Sequence, residues 1–229
     1  MREHVDAVLL DFDGTLADSA PDLIAALNRL LEEMGHAPVA FAGFRQRAGE
    51  GAKRLLLAAL AAQGQERPDD ATLRRLIETL IAYYFEIETE RIRLFPSVAA
   101  TLERLRDGGV SLAVCTNRGE CSTRRLLAHF GIDRHVGAVL AGDTVAKMKP
   151  DPGHLREALA ALGATPARAV MVGDSAADVD AAQGAGMPAI VTAYGYSPTP
   201  AHALGADAVI EDFAELPAAI GRLFRGSSV

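Results

Sequence analysis

Short apolar segments alternate with helical segments through most of this chain, and this alternation constrains the fold more than any other feature. The apolar segments are residues 5–10, 110–115, 136–140, 169–172, 189–192 and 208–210. The segments between the later ones have the apolar spacing of amphipathic helices. Short buried strands that alternate with helices are typical of a parallel sheet covered by helices on both faces. The sequence therefore predicts an α/β fold with a doubly wound, parallel-sheet core.

The stretch that follows the first apolar segment has a different pattern. From residue 17 to residue 92 the apolar spacing is helical, and no strand-like segment interrupts it. A chain of 229 residues is long enough for one domain with an insertion of this size. We therefore expect an α/β core formed by residues 1–16 and 93–229, with an inserted helical domain formed by residues 17–92.

Two aspartates directly follow the first predicted strand, where residues 11–15 read DFDGT. Alternate side chains of an extended segment share a face, so Asp11 and Asp13 can point toward one site. Two carboxylates in this arrangement suit a Mg²⁺ ion, or a nucleophile that works with a proton donor. Asp-Gly is also common in turns, so the motif alone leaves a purely structural interpretation open.

Three further polar clusters lie at strand ends or helix starts of the predicted core: Thr116 with Asn117, then Lys149, then Asp174 with Asp178. Parallel strands joined by right-handed crossovers present their carboxyl ends at one edge of the sheet, so we expect these side chains to lie together. Carboxylates, a hydroxyl, a lysine and helix-start amides are the groups that phosphoryl transfer needs. Each cluster taken singly could instead be ordinary strand-end or helix-start chemistry.

The composition restricts the partners and the location. The 23 Lys and Arg against 30 Asp and Glu give a net charge of −7, so no overall basic field favours nucleic acid or an anionic membrane. The first residues lead directly into a strand, which predicts neither a signal peptide nor a membrane span. The two cysteines lack CxxC spacing and indicate no disulfide framework or zinc site. We expect a cytoplasmic enzyme that acts on a small molecule, without a nucleic-acid or membrane partner.

The four motifs resemble, in the same order, those of the haloacid dehalogenase superfamily. They are DFDGT at 11–15, TN at 116–117, KP at 149–150 and GDSAAD at 173–178. The resemblance covers essentially the whole chain, and the helical insert is similar to the cap domain of the family's phosphoglycolate-phosphatase-like branch. Further matches to that branch lie at residues 18–23, 49–52 and 194–196. The resemblance implies a Rossmann-like core and a Mg²⁺-dependent phosphomonoester hydrolase, with 2-phosphoglycolate as the leading substrate.

The resemblance also implies which residues hold the metal and react. Asp11 would be the nucleophile that forms an aspartyl-phosphate, and it would bind Mg²⁺ together with Asp174. Asp13 would be the general acid and base, and its backbone carbonyl would also meet the metal. Asp178 would lie close to the ion, through water or Lys149.

The remaining motif residues would contact the substrate. Thr116 and the backbone amide of Asn117 would hold the phosphoryl oxygens, and Lys149 would balance their negative charge. In the cap, Arg45 and Lys53 flank the loop at residues 49–51 and are candidate contacts for the leaving group. Cations in this segment could equally form a solvated helix face.

Alternatives remain for the reaction and the substrate. Similar dehalogenases and phosphonate-cleaving relatives lack the second aspartate of the first motif, so Asp13 favours a phosphatase, while a sugar-phosphate mutase would retain it. Glu50 in the cap loop is unfavourable beside a small dianionic substrate unless a cation pairs with it, so another small metabolite such as N-acetylmuramate 6-phosphate competes with 2-phosphoglycolate. The sequence leaves open a monomer or a homodimer.

Overall fold

The structure, a computed structural model, describes residues 4–225 apart from the side chains of Glu50 and Arg225. It divides into two compact units, one of Met1–Ala17 with Leu94–Val229 and one of Asp18–Arg93. The expected assignment of these units to a catalytic core and a cap stays a prediction.

Eight strands are present in the part of the chain that the structure describes. In chain order they are β1 (Ala7–Leu10), β2 (Ala17–Asp18), β3 (Arg93–Leu94), β4 (Ser111–Cys115), β5 (Ala138–Leu140), β6 (Ala169–Gly173), β7 (Ala189–Thr192) and β8 (Ala208–Ile210). Six of them form one sheet in the order β5-β4-β1-β6-β7-β8, and neighbouring strands in it are parallel. The predicted doubly wound parallel sheet is therefore confirmed, although some strands begin one or two residues later than the sequence pattern indicated.

The α-helices account for about half of the remaining described residues. They are α1 (Ala20–Glu33), α2 (Phe41–Phe44), α3 (Ala52–Ala62), α4 (Asp70–Ile87), α5 (Val98–Asp107), α6 (Glu120–His129), α7 (Gly153–Leu162), α8 (Ala176–Ala185) and α9 (Leu216–Arg225). The first four belong to the second unit. Among residues 4–225, no helix has both the length and the apolar character needed to cross a bilayer.

Two features of the fold were not anticipated. The short strands β2 and β3 pair with each other where the chain passes between the two units. A two-residue strand cannot display an alternating pattern, so the helical interpretation of this stretch missed it. The sequence analysis also assigned no element to the segment that forms α9.

The core of the first unit explains why its strands are continuous apolar segments. Every residue of β1, β6 and β7 is buried. Leu9 of β1 and Met171 of β6 pair in register and belong to one buried cluster with Leu155 of α7 and Val179 of α8. A sheet whose strands are covered on both faces has no solvent-facing side, and its strands therefore carry few polar residues.

The second unit contains a buried carboxylate where its first and last segments meet. Asp22 of α1 is fully buried and accepts hydrogen bonds from the backbone nitrogens of Arg91 (3.0 Å) and Ile92 (2.8 Å). These bonds join the first helix of the unit to the segment that leaves it. A buried carboxylate is costly unless it is hydrogen-bonded, so Asp22 favours the arrangement in which the two chain ends of this unit lie together.

Candidate active site

The register of the sheet brings three motif residues to one edge. Leu10 at the end of β1 pairs with Val114 of β4 and with Val172 of β6, so the three central strands end at the same level. Asp11, Thr116 and Asp174 directly follow these strands. The predicted meeting of polar side chains at the carboxyl ends of the strands follows from this alignment.

A cluster of three carboxylates and one lysine lies at this edge, and all of these residues are buried except Asp11, which is partly exposed. Oxygens of Asp11, Asp174 and Asp178 lie within 4.8 Å of one another. The Nζ atom of Lys149 lies 2.6 Å from Oδ1 of Asp178 and 3.0 Å from Oδ1 of Asp11. The side chains of Lys149 and Asp178 are 2 % and 1 % exposed. The predicted neighbourhood of these four residues is therefore present.

The cluster carries more negative than positive charge. Burial raises the pKa of Asp11 from 3.8 to about 7, with Lys149 acting in the opposite direction. Burial, followed by the charges of Asp178 and Asp11, raises the pKa of Asp174 well above its ordinary value. Burial acts to lower the pKa of Lys149, but the charges of Asp11 and Asp178 outweigh it and raise this pKa.

The donor set of the cluster fits a divalent cation. Three carboxylates against one ammonium leave a net charge of −2 when all are ionised. Carboxylate and carbonyl oxygens are the ligands that hard divalent cations prefer. A bound dication would offset the charge that raises the carboxylate pKa values, so Asp11, Asp174 and Asp178 are suited to hold one.

Backbone groups and a hydroxyl hold two of these carboxylates in place. The backbone nitrogen of Tyr196 donates to Oδ2 of Asp174 at 2.6 Å. Oδ2 of Asp178 accepts from the hydroxyl of Ser175 at 2.6 Å and from the Ser175 backbone nitrogen at 3.0 Å. Ser175 and Asp178 also form the capping box of α8. Asp178 therefore caps the N-terminus of this helix and also accepts a hydrogen bond from Lys149.

Two glycines allow the backbone to approach Asp174 closely. A Cβ atom on Gly14 would lie 2.2 Å from Oδ2 of Asp174, and Gly14 has a φ of +78°. A Cβ atom on Gly195 would lie 2.2 Å from Cβ of Asp174. Larger residues at these positions would displace the carboxylate from the cluster.

The position of Lys149 depends on a buried histidine that the sequence analysis did not single out. The backbone nitrogen of Lys149 donates to Nδ1 of His154 (3.3 Å), and Nε2 of His154 donates to the carbonyl of Leu140 (3.0 Å). Burial lowers the pKa of His154. The neutral ring therefore connects the end of β5 to the loop that carries Lys149.

Asp13 lies in an ion pair with Arg118. Nη2 of Arg118 lies 2.6 Å from Oδ1 of Asp13, and Nε lies 3.0 Å from Oδ2. The side chain of Asp13 is 24 % exposed, and that of Arg118 is 11 % exposed. The sequence analysis assigned no role to Arg118, which directly follows Asn117 of the second motif.

The two residues of the second motif differ in their surroundings. Thr116 is buried, and its hydroxyl accepts a hydrogen bond from the backbone nitrogen of Arg118 at 3.2 Å. Asn117 is exposed, and its side chain donates to the carbonyl of Lys149 at 3.0 Å. The contact of Asn117 joins the end of β4 to the loop with Lys149.

The two cap residues belong to the second unit. Arg45 begins a 3₁₀ helix and lies 3.6 Å from Asp18, and Lys53 is exposed on α3. Their proposed contacts with a leaving group stay predictions. Glu50, on which the alternative substrate depends, has its side chain outside the described residues.

Comparison with known proteins identifies the family. The family model described as haloacid dehalogenase-like hydrolase matches residues 8–192. The chain belongs to this family of hydrolases. The predicted family is thus confirmed, and the motif residues of the first unit lie within the matched segment. Members of the family that are phosphatases generally use a divalent metal, and the acidic cluster agrees with this.

Individual relatives are similar over nearly the whole chain. A phosphoglycolate phosphatase of Rhodospirillum rubrum is 44 % identical over 214 residues, covering 92 % of this chain and 88 % of the relative. A structure of a predicted phosphoglycolate phosphatase from Haemophilus somnus has a TM-score of 0.86 at 29 % identity, covering 93 % and 97 % of the two chains. A structure of CbbY from Rhodobacter sphaeroides in complex with phosphate has a TM-score of 0.77 at 28 % identity, covering 94 % and 99 %.

Proposed function

We propose that this haloacid dehalogenase-like hydrolase is a Mg²⁺-dependent phosphatase that converts 2-phosphoglycolate to glycolate and phosphate. The cluster of Asp11, Lys149, Asp174 and Asp178 carries the proposal, because it combines a candidate nucleophile with a dication site and a cation. The 44 % identical phosphoglycolate phosphatase supports the choice of substrate. The phosphate bound to CbbY supports a phosphate site in this fold.

The first half of the reaction forms a covalent intermediate. A carboxylate oxygen of Asp11 attacks phosphorus, a new O–P bond forms, and the bond from phosphorus to the ester oxygen breaks. Asp13 in its protonated form gives its proton to that oxygen, so the leaving group departs as an alcohol and Asp13 is left as the carboxylate that pairs with Arg118. The products of this half are the aspartyl-phosphate on Asp11, the free glycolate and an ionised Asp13.

The second half returns the enzyme to its starting state. The ionised Asp13 takes a proton from a water molecule whose oxygen attacks the phosphorus of the aspartyl-phosphate. The bond between phosphorus and Asp11 breaks, inorganic phosphate leaves, and Asp11 is again a free carboxylate. The two halves together consume one ester and one water.

The remaining residues would bind the metal ion and the phosphoryl oxygens and balance their charges. Asp11 and Asp174, with Asp178 close by and the backbone carbonyl of Asp13, would hold Mg²⁺. When bound, the ion supplies positive charge that favours ionised carboxylates and offsets their repulsion of the phosphate. Thr116, the amide of Asn117 and the ammonium of Lys149 bind the phosphoryl oxygens in this scheme. The burial of Lys149 strengthens its interaction with these oxygens, because the local dielectric constant is low.

In this proposal, residues of the cap select the leaving group. Arg45 and Lys53 would pair with the carboxylate of 2-phosphoglycolate. N-acetylmuramate 6-phosphate and a mutase reaction primed by a sugar 1,6-bisphosphate are the alternatives.

We also propose a cytoplasmic location and either a monomer or a homodimer, to be checked by cell fractionation and sedimentation.

A substrate panel tests the proposal. Phosphate release would be measured with and without Mg²⁺ on 2-phosphoglycolate, N-acetylmuramate 6-phosphate, sugar phosphates and p-nitrophenyl phosphate, with Asp11→Asn as the inactive control. The highest kcat/KM with 2-phosphoglycolate, and no release without a divalent metal, is the expected result. A preference for another ester would refute the substrate, and an isomeric sugar phosphate formed without free phosphate would indicate a mutase.

A further inference from the structure

The ion pair between Arg118 and Asp13 has the geometry of a fork rather than of a single contact. Nε and Nη2 of the guanidinium each donate to a different oxygen of the carboxylate, at 3.0 and 2.6 Å. Bidentate pairs of this kind restrict the carboxylate in orientation as well as in position. A lysine has no planar fork and could not fix the plane of the carboxylate in the same way.

The guanidinium of Arg118 is itself fixed by neighbouring groups. Its Nη1 atom donates to the hydroxyl of Ser122 on α6 at 2.8 Å, and Ser122 is buried. The backbone nitrogen of Arg118 donates to the hydroxyl of Thr116 at 3.2 Å. The Cζ atom lies 5.8 Å from the centroid of the Phe12 ring. The guanidinium is therefore held by groups at the end of β4 and on α6. It in turn restricts the orientation of the Asp13 carboxylate.

Asp13 needs such support more than Asp178 does. Its side chain is 24 % exposed, whereas Asp178 is 1 % exposed and is held within the cluster by Ser175 and Lys149. A carboxylate that reaches solvent exchanges between rotamers unless a partner holds it. Proton transfer requires the donor oxygen within hydrogen-bond reach of the acceptor, so a mobile Asp13 would be a poor acid.

We propose that Arg118 is a positioning residue that orients the carboxyl group of Asp13 for proton transfer to the leaving-group oxygen. The proposal rests on the phosphatase mechanism above. A carboxylate has about four lone-pair sites, so an Asp13 held by two bonds retains sites for the proton. Arg118 acts through Asp13 and makes no bond to the reacting phosphorus.

The proposal predicts a dependence on the leaving group. An alkoxide leaves poorly without a proton, whereas p-nitrophenolate is stable as an anion and leaves without one. Loss of Arg118 should therefore slow hydrolysis of alkyl esters and spare p-nitrophenyl phosphate. A purely structural role for Arg118 would lower both rates by the same factor.

The test compares Arg118→Met and Arg118→Lys with the wild type on the best alkyl ester of the panel and on p-nitrophenyl phosphate. General acid catalysis contributes about 100-fold or more, so Arg118→Met should lower kcat for the alkyl ester about 100-fold, with KM little changed. The loss with p-nitrophenyl phosphate should be a few-fold at most. Arg118→Lys keeps the charge without the fork and should show a smaller loss, about 10-fold, with the same selectivity.

Arg124→Met is the matched control, since Arg124 is also an arginine near the start of α6. It is 59 % exposed and pairs with Glu120 at 2.7 Å, and its replacement should leave both rates unchanged. Circular dichroism establishes whether each variant is folded, and Arg118→Lys decides the question if Arg118→Met does not fold.

Equal losses on both esters, or no loss in Arg118→Lys and Arg118→Met, would overturn the positioning role while leaving the phosphatase assignment intact. A wild-type protein that releases phosphate from neither ester would instead overturn the proposed function, and the role of Arg118 with it.

Discussion

Replacement of Asp11 by Asn should stabilise the metal-free protein, and the gain should grow with pH. Burial raises the pKa of Asp11 from 3.8 to about 7 in the folded state, so the folded protein holds this proton more tightly than the unfolded chain does. Between these two values the folded state binds more protons than the unfolded state. The free energy of unfolding therefore falls as pH rises through this range. An asparagine has no proton to lose and escapes this effect.

The magnitude follows from the size of the shift. A difference of about three pH units corresponds to roughly 4 kcal/mol once Asp11 is ionised in both states, which requires a pH of about 8. At pH 5 the folded state still holds the proton, and less than half of this penalty is present. The stability advantage of Asp11→Asn should therefore increase by about 2–3 kcal/mol from pH 5 to pH 8.

Urea denaturation in the presence of a chelator measures this difference. Wild type and Asp11→Asn would be compared at intervals between pH 5 and pH 8, with Asp180→Asn, an exposed position on α8, as the control. The control should differ from the wild type by the same small amount at every pH. A stability difference for Asp11→Asn that stays constant, or that reverses as pH rises, would refute the reasoning from burial.

Three further substitutions test the surroundings of the cluster and the base of the insert. Lys149→Met leaves the buried Asp178 and the partly exposed Asp11 without their cation, and it should lower the free energy of unfolding by about 3–5 kcal/mol near pH 7.5. An unchanged urea midpoint would contradict this. Gly14→Ala places a Cβ atom 2.2 Å from Oδ2 of Asp174 and should weaken Mg²⁺ binding about 10-fold in calorimetry, whereas unchanged affinity would mean that the backbone adapts. Asp22→Asn weakens the hydrogen bonds to the segment that includes Ile92, and it should lower the free energy of unfolding in urea by about 1–3 kcal/mol. A change near zero would contradict the proposed stabilising role of Asp22.

The meeting of the motif residues could be predicted from the sequence because it depends only on the sheet. Asp11, Thr116 and Asp174 follow strands whose apolar character is continuous, and parallel strands joined by crossovers end at one edge. Neither conclusion needs the positions of individual side-chain atoms. The contact of Lys149 with Asp11 and Asp178 could be anticipated only from the family resemblance, because Lys149 lies in a loop.

The pairing of Arg118 with Asp13 could not be predicted in this way. The two residues are 105 positions apart, and their contact depends on one rotamer of a long side chain at a loop. The same applies to the backbone of Tyr196, which donates to Asp174 from 22 positions away. Sequence patterns report which faces are buried, but they do not report how a loop directs a particular donor.

The most direct test of the central claim is detection of the phosphorylated nucleophile. The protein with Mg²⁺ and 2-phosphoglycolate would be quenched with acid within one turnover, digested, and examined by mass spectrometry. The account predicts the added mass of one phosphoryl group on the peptide that contains Asp11, and its absence in Asp11→Asn. Phosphate release from the wild type with no phosphorylated peptide, or with the phosphoryl group on a different residue, would contradict the account.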